Sequence, residues 1–536
     1  MSQANASNKP ALKEFSREEI AQHNKPDDCW IIIDGKVYDV SKFHRIHPGG
    51  SGVILRLGGQ DVTDQYFSLH ADHVMRKYEA SLCIGYVKGA SESTTQRGKS
   101  RAIIEAQNKK FGTFGDLVPY GDPAWYQGWV SPYYNDSHIR FRNAVRKFVE
   151  EEIMPNVHQW DEAKQLPKGI HKKCAEAGWL AGVISPPWPK EYVGDFIAGG
   201  VKPEEFDAFH ELILMDELAR CASGGVVWGL MEGLQIGMPP LFHFAKKELR
   251  DKVAGPCLRG EKVICLAITE PYAGSDVASI RTTAKLSEDG KYYIVNGEKK
   301  WITNGVFADY FTTAVRTGGD GMGGISLLLI ERTAPGIKCH QMKCGGVWAS
   351  GTTYITFEDV RVPVENLIGE ENNGFKCIMY NFNHERWGVT AQCVRFARVC
   401  LEEAMKWAFK RKTFGKRMID HPVIRAKLAD MARQVEATQA QLEYVTYQMK
   451  NLPYNQQVTR LGGPLALLKA QATRVFEYCA REAVQIFGGS GYTRTGQGQK
   501  VERLYREVRA YAIPAGSEEI MLDLGMKQAI KNASHL

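Results

Sequence analysis

The chain has 536 residues, 44% of them hydrophobic and 24% charged, with a formal net charge of +7. That length accommodates several domains, and the mild, mixed charge argues against nucleic-acid binding. No apolar run reaches the roughly 18 residues that a membrane-spanning helix needs. The 12 cysteines show no paired spacing and read as small buried hydrophobes; Cys339, His340 and Cys344 lack the second ligand cluster of a zinc site.

Residues 11–88 read as one small domain, with 11 basic and 11 acidic residues up to position 88, so the body carries the whole positive excess. "CWIIIDGKVYDV" alternates around Asp34-Gly35 and predicts a β-hairpin. Short helical pieces flank His47-Pro48-Gly49-Gly50. Pro48 stiffens the chain after the histidine, and two glycines able to take positive φ let backbone approach a flat macrocycle. A plain Pro-Gly-Gly turn is the alternative. Against it stands a second histidine, His70, 23 residues on in "DVTDQYFSLHADH".

This hairpin, the H-P-G-G turn, G-x-D-V-T and F-x-x-L-H together resemble a cytochrome b5 domain, above all the haem domains of lactate-oxidising flavocytochromes. The resemblance implies haem b with His47 and His70 as axial ligands. His44 and His73 are rivals that fall outside the motif and read as surface residues. Two histidines close both axial positions, which suits electron transfer rather than oxygen binding.

"GASESTTQRGKS" opens a polar linker over 89–129, and "RAIIEAQNKKFG" predicts a short helix within it. Helical periodicity covers 130–261, strand-like runs such as "YYIVNG" and "ISLLLIER" cover 262–368, and long helical patterns cover 369–532. The glycine cluster "GGDGMGG" sits between two strand-like runs and reads as a loop, and "GGSGYTRTGQG" lacks G-x-G-x-x-G spacing and follows a helical stretch rather than a strand.

Five stretches then occur in order: "LAITEPYAGSDVASIRT", "KKWITNG", "RKTFGKRMIDHPVIRAKLADM", "QIFGGSGYT" and "YAIPAGSEEIM". Together they resemble the acyl-CoA dehydrogenase family over nearly all of residues 130–532. The implied fold is multidomain: a small α+β cytochrome b5-like domain, then an α-helical domain, a β-barrel-like domain and a C-terminal four-helix bundle. The implied cofactor is FAD. The resemblance places Leu266, Ile268, Thr269, Gly274 and Ser275 along the flavin and its ribityl chain, and Trp301, Ile302 and Thr303 around the isoalloxazine. Arg411, Thr413 and Phe414, with Gln485, Ile486, Phe487, Gly488 and Gly489, fall at the adenine and pyrophosphate end, supplied across a subunit interface. Ser517 and Glu519 fall beside the flavin. An oligomer, a homodimer or homotetramer, follows.

The family's reaction takes an α-proton with a carboxylate while a β-hydride goes to the flavin. Many members carry a glutamate directly before the Gly-Ser pair near the C-terminus, where this chain has Ala515. Long-chain and isovaleryl-type members place the glutamate on an earlier helix, before an arginine. "YNFNHERWGV" offers Glu385-Arg386 there, so Glu385 is the expected base, with a surface Glu-Arg pair as the alternative. Glu518 and Glu519 are decoys. Substrate contacts are expected from Ser275, Asn383, Arg386, Ala515 and Gly516, with the thioester oxygen at the Ala515 or Gly516 N–H.

The expected activity is α,β-dehydrogenation of an acyl-CoA to a trans-2-enoyl-CoA, as in fatty-acid β-oxidation. Electrons would pass from FAD to the fused haem and on to an external acceptor. Haem-fed oxygen chemistry and a non-enzymatic flavin and haem sensor are the alternatives; Ala515 speaks against a nitroalkane oxidase. The ending Ser534-His535-Leu536 is similar to the peroxisomal S-K-L address; without it the expected compartment is the cytoplasm. The acidic N-terminus resembles neither a secretory signal nor a transit peptide.

Overall fold

Asp34 and Gly35 take φ of 53° and 77°, the left-handed pair that a two-residue hairpin turn demands. They join Asp28–Ile33 to Lys36–Asp39 in register Ile33 to Lys36, as the sequence predicts. These coordinates, a computed structural model, describe residues 13–70 and 72–533. The strands order as Lys13–Phe15, Cys83–Val87, Lys36–Asp39, Asp28–Ile33 and Asn24–Lys25. Period-two alternation sends Ile31 and Ile33 to one face, with Tyr38 and Met75, and Ile32 to the other, with Phe15 and Ile20, so both faces are covered. The stretch read as a linker carries a helix, Gln96–Phe111. It starts ahead of its apolar pattern because Thr95 Oγ1 accepts the Gly98 N–H at 2.8 Å, and Gly112 closes it at φ 64°. These elements form one compact unit up to Val130, joined by Trp407–Met418 and Thr493–Gln499.

The second unit takes the rest of the chain from Ser131. Its helices Asp136–Phe148 and Ala208–Ala219 begin at Asn135 and Asp207, each with a histidine at the third helical position that bonds back to the cap N–H. Strands from Ile264 to Ile368 then form an eight-stranded sheet packed around Val295, Phe311, Leu328, Ile355 and Phe357. Four long helices follow: Gly374–Lys410, Pro422–Asn451, Tyr454–Phe487 and, after Gln499–Ala512, Glu518–Asn532. The third and the last of these meet closely at Gly525, where a Cβ would lie 2.6 Å from Leu467 Cδ2. Helices, sheet, helices is the order the sequence predicts. Among the described residues no helix is long and apolar enough to cross a membrane.

Candidate active site and haem pocket

His47 ends the 3-10 turn Phe43–Ile46, and His70 ends the helix Thr63–Leu69. Their rings face each other at 5.8 Å between centroids. Gly50 takes φ 87°, as the turn needs, but Gly49 is required for another reason: a Cβ there would sit 2.9 Å from His47 Cε1. Tyr66 stacks on His70 at 4.5 Å, and its carbonyl meets His70 Nδ1 at 3.3 Å. Burial lowers the His70 pKa, with His47 adding to it against the Tyr66 carbonyl, so His70 holds the neutral form that ligates iron. His47 Nδ1 is buried without a hydrogen-bond partner. Two neighbouring imidazoles beside Phe43 and Tyr66, one with an uncommitted ring nitrogen, fit a haem iron. His44 is not the surface residue expected. It is 4% exposed, with Nδ1 on Ser51 Oγ at 2.6 Å and Nε2 on the Pro26 carbonyl at 2.9 Å. Both nitrogens are committed, so it remains unsuited as a ligand. The His73 side chain lies outside the described set.

In the second unit, the strand Ile264–Ala267 leads into the loop carrying Ile268, Thr269, Gly274 and Ser275. Thr269 is bonded to Lys300 twice: its carbonyl accepts the Lys300 N–H at 2.8 Å, and its hydroxyl donates to the Lys300 carbonyl. Lys299 Nζ reaches Ile268 O and Glu270 Oε1, both at 2.8 Å, while Glu270 accepts the Arg281 and Thr282 N–H groups. Burial presses the Lys299 pKa down to about 8 against the pull of Glu270. Burial opposes the Glu270 carboxylate, yet Lys299 and the two amides hold its pKa below the usual value. Trp301 follows with φ 70° and is 54% exposed. An exposed indole held on left-handed backbone beside this braced loop fits a flat ring system such as a flavin. Leu266 and Thr303 are half-buried, Gly274 and Ser275 exposed, and Ile302 faces the sheet core.

Arg411 is exposed, and Phe414 sits at φ 51° and 95% exposed in the small hairpin Lys412–Arg417, which belongs to the first unit with Thr413. Gln485 and the glycines 488 and 489 are exposed at the end of Tyr454–Phe487, while Ile486 and Phe487 are buried. Ser517 stands at the N-cap position of the last helix without a side-chain capping bond; Glu518 pairs with Arg474 at 3.0 Å, and Glu519 is exposed.

Glu385 lies on the helix Gly374–Lys410. Burial raises its pKa to about 6 against the opposing charges of Arg386, Lys469 and His384. Arg386 does not pair with it as on a surface helix. Its Nε donates to the Ala515 carbonyl and its Nη1 to Asn383 Oδ1, both at 3.3 Å. Ala515 and Gly516 turn with φ 56° and 99°, and a Cβ at Gly516 would meet Met521 Cε at 2.2 Å. Among the described residues no acceptor takes up the N–H of Ala515 or Gly516. The arrangement therefore presents a base near neutrality and two unclaimed amide donors, tied together through Arg386, with no carboxylate at position 515.

Sequence reasoning missed three buried groups here. Lys469 donates to Ala512 O at 3.0 Å and Gly516 O at 2.7 Å. Glu232, on the π-helix Trp228–Gly237, is pushed by burial and by Glu385 to a pKa of about 8. The Glu270–Lys299 pair is the third. Only Lys469, a lysine amid the apolar run "LALLKAQA", carried a visible signal. His138, Asp207 and His210 also cluster, but their ring nitrogens serve the helix caps and Lys450 Nζ sits on Asp207 at 2.7 Å, which makes the cluster a structural joint.

Four family descriptions match this layout: cytochrome b5-like haem/steroid binding domain over 16–88, and acyl-CoA dehydrogenase N-terminal, middle and C-terminal domains over 135–261, 265–360 and 372–530. The chain belongs to the acyl-CoA dehydrogenase family, with a cytochrome b5-like domain fused ahead of it. It is an oxidoreductase of that type; the family's cofactor is FAD, and that of the fused domain is haem. It is 45% identical to acyl-CoA dehydrogenase AFT10-1 of Alternaria alternata, over 78% of this chain and 97% of that protein. It is 44% identical to acyl-CoA dehydrogenase apdG of Emericella nidulans, over 77% and 95%. Among solved structures, butyryl-CoA dehydrogenase from Megasphaera elsdenii superposes with a TM-score of 0.67 at 28% identity, covering 75% of this chain and all (100%) of that one.

Proposed function

We propose that the protein converts an acyl-CoA thioester to its trans-2-enoyl-CoA with Glu385 as the base, and that the electrons leave through the fused haem. The observation that carries this reading is Glu385, whose pKa burial raises to about 6, next in the chain to Arg386, which holds the carbonyl of Ala515 at 3.3 Å in a turn that has no carboxylate of its own. FAD, when bound, supplies the acceptor for the β-hydride, and the bis-histidine haem supplies a one-electron exit toward an external acceptor.

The chain's residues do the remaining work. The N–H groups of Ala515 and Gly516 receive the thioester oxygen and polarise it, which acidifies the α-carbon. Glu385 takes the α-proton on a carboxylate that burial has made a stronger base. Arg386 fixes the Ala515 carbonyl so that the turn keeps its place. Trp301 and the loop braced by Glu270 and Lys299 form the flavin platform. Phe414 and its hairpin serve a second copy of the chain, which requires an oligomer. Ser534-His535-Leu536, outside the described residues, is proposed to direct the protein to peroxisomes; deleting it from a fluorescently tagged chain should leave the label diffuse, and unchanged punctate label would end that proposal.

The deciding experiment mixes FAD- and haem-loaded protein with a panel of acyl-CoAs under nitrogen in a stopped flow. Flavin bleaching followed by the ferrous haem band supports the relay. Flavin bleaching with haem left ferric removes the haem exit and keeps the dehydrogenase. No change with any acyl-CoA overturns the reading.

A further inference from the structure

The geometry points to Lys469 as a positioning residue for this reaction, a buried cation that locks the Ala515–Gly516 turn and favours the carboxylate form of Glu385. The inference rests on Glu385 being the base. Lys469 is fully buried (0% exposed) in the middle of the helix Tyr454–Phe487. An ammonium in such a place is costly unless paired, yet among the described residues no carboxylate forms an ion pair with it. Glu518, on the last helix, adds to the charges that favour the ammonium without touching it: its Oε2 is on Arg474 at 3.0 Å, and its buried Oε1 has no hydrogen-bond partner among the described residues. Lys469 Nζ instead holds two neutral carbonyls, Ala512 O at 3.0 Å and Gly516 O at 2.7 Å. Ala512 is the last residue of Gln499–Ala512, so the cation also sits at the negative end of that helix.

Two consequences follow. Lys469 and Arg386 grip successive carbonyls, Gly516 and Ala515, and together hold a turn of two left-handed residues whose N–H groups stay unclaimed for the thioester oxygen. Lys469 also bears on Glu385 through space. The charged or titratable groups around this pair are Arg386, His384 and Cys393 on the base helix, Glu232 on the π-helix, and Glu518. When Glu385 accepts the α-proton it becomes neutral and negative charge moves to the thioester oxygen; the ammonium behind the turn remains in place for that charge. Burial presses the Lys469 pKa itself down to about 8, so the device should fail in alkali.

The test uses full-length FAD- and haem-loaded protein, with octanoyl-CoA and isovaleryl-CoA as probes, and reads the limiting rate of flavin bleaching from pH 5.5 to 9.5. In the wild type the rate should rise through a midpoint near 6 and fall again above about pH 8. Lys469→Met should move the acid midpoint up by about one pH unit and slow the plateau about tenfold or more, with thioester affinity within about threefold. Lys469→Arg, which keeps its charge at every pH used, should restore the acid midpoint and abolish the alkaline fall. A Lys469→Met midpoint unmoved in folded, FAD-loaded protein overturns the proposal. If Lys469→Met does not fold, an alkaline fall that persists in Lys469→Arg overturns it equally. Glu385→Gln separates the two levels: retained bleaching there removes the base assignment, whereas its loss together with an unmoved Lys469→Met midpoint removes only the role of Lys469.

Discussion

At the scale of single residues, burial decides more than identity. Glu385, Glu518 and Glu519 are equivalent as letters, but only Glu385 is lifted by burial to a pKa of about 6, while Glu518 is tied to Arg474 and Glu519 faces solvent. Glu385→Gln should cut the rate of flavin bleaching by about 10²–10⁴-fold with thioester affinity preserved, the usual contribution of a positioned base; stopped-flow spectra check it. Because the working form is the carboxylate, the wild-type rate should climb with pH through about 6. The two histidines beside the H-P-G-G turn separate in the same way. His47→Ala should abolish the haem absorbance, whereas His44→Ala should keep it and lose about 1–3 kcal/mol of stability by orphaning the Ser51 and Pro26 partners.

At the scale of elements, the helices Asp136–Phe148 and Ala208–Ala219 are joined through their caps. Asp207 Oδ1 accepts from the backbone of its own helix and from His138 Nε2 at 2.9 Å, while Lys450 meets Oδ2. Burial opposes its charge, yet the His138 and His210 hydrogen bonds and Lys450 hold the Asp207 carboxyl far below the usual carboxylate range. A carboxyl whose pKa is lower folded than unfolded stabilises fully above about pH 4 and loses that contribution as pH falls further. Asp207→Asn should therefore lower Tm at pH 7 and narrow its gap to the wild type below pH 4, read by thermal melts across pH. The cross-link between the two caps spans 69 positions from His138 to Asp207 and leaves no local trace in the sequence. The buried Glu270–Lys299 pair is of the same kind. Glu270→Gln leaves an unpaired ammonium beneath the loop and should cost about 3–5 kcal/mol and loosen FAD, measured by melting and flavin retention.

At the scale of the whole molecule, a cytochrome b5-like domain and an acyl-CoA dehydrogenase body share one chain. If the haem serves only as an exit, His70→Ala should leave flavin bleaching by acyl-CoA within about twofold of the wild type and eliminate the haem signal; a bleaching rate that collapses with the haem would show that the first domain supports the second in some other way. The order of strand-rich and helical stretches was legible because periodicity changes along the chain, from alternating to helical to alternating and back, and period follows directly from backbone geometry. Within 89–129 the helix was legible over 101–112 but its first turn was not, because the cap at Thr95 starts it in polar sequence that lacks an apolar stripe.

The sequence by itself determined the order of elements, the Asp34–Gly35 hairpin, the paired histidines His47 and His70, and the alanine at position 515 beside a Glu385-Arg386 pair elsewhere in the chain. These features rest on local spacing and on residue types that chemistry restricts narrowly. Only the tertiary structure decided which groups tune them. Lys469 meets Gly516 across 47 positions, Arg386 meets Ala515 across 129, and Glu232 reaches Glu385 from another helix. A pKa or a held turn depends on what burial brings alongside, and burial is set by the packing of distant segments rather than by any neighbour in the chain.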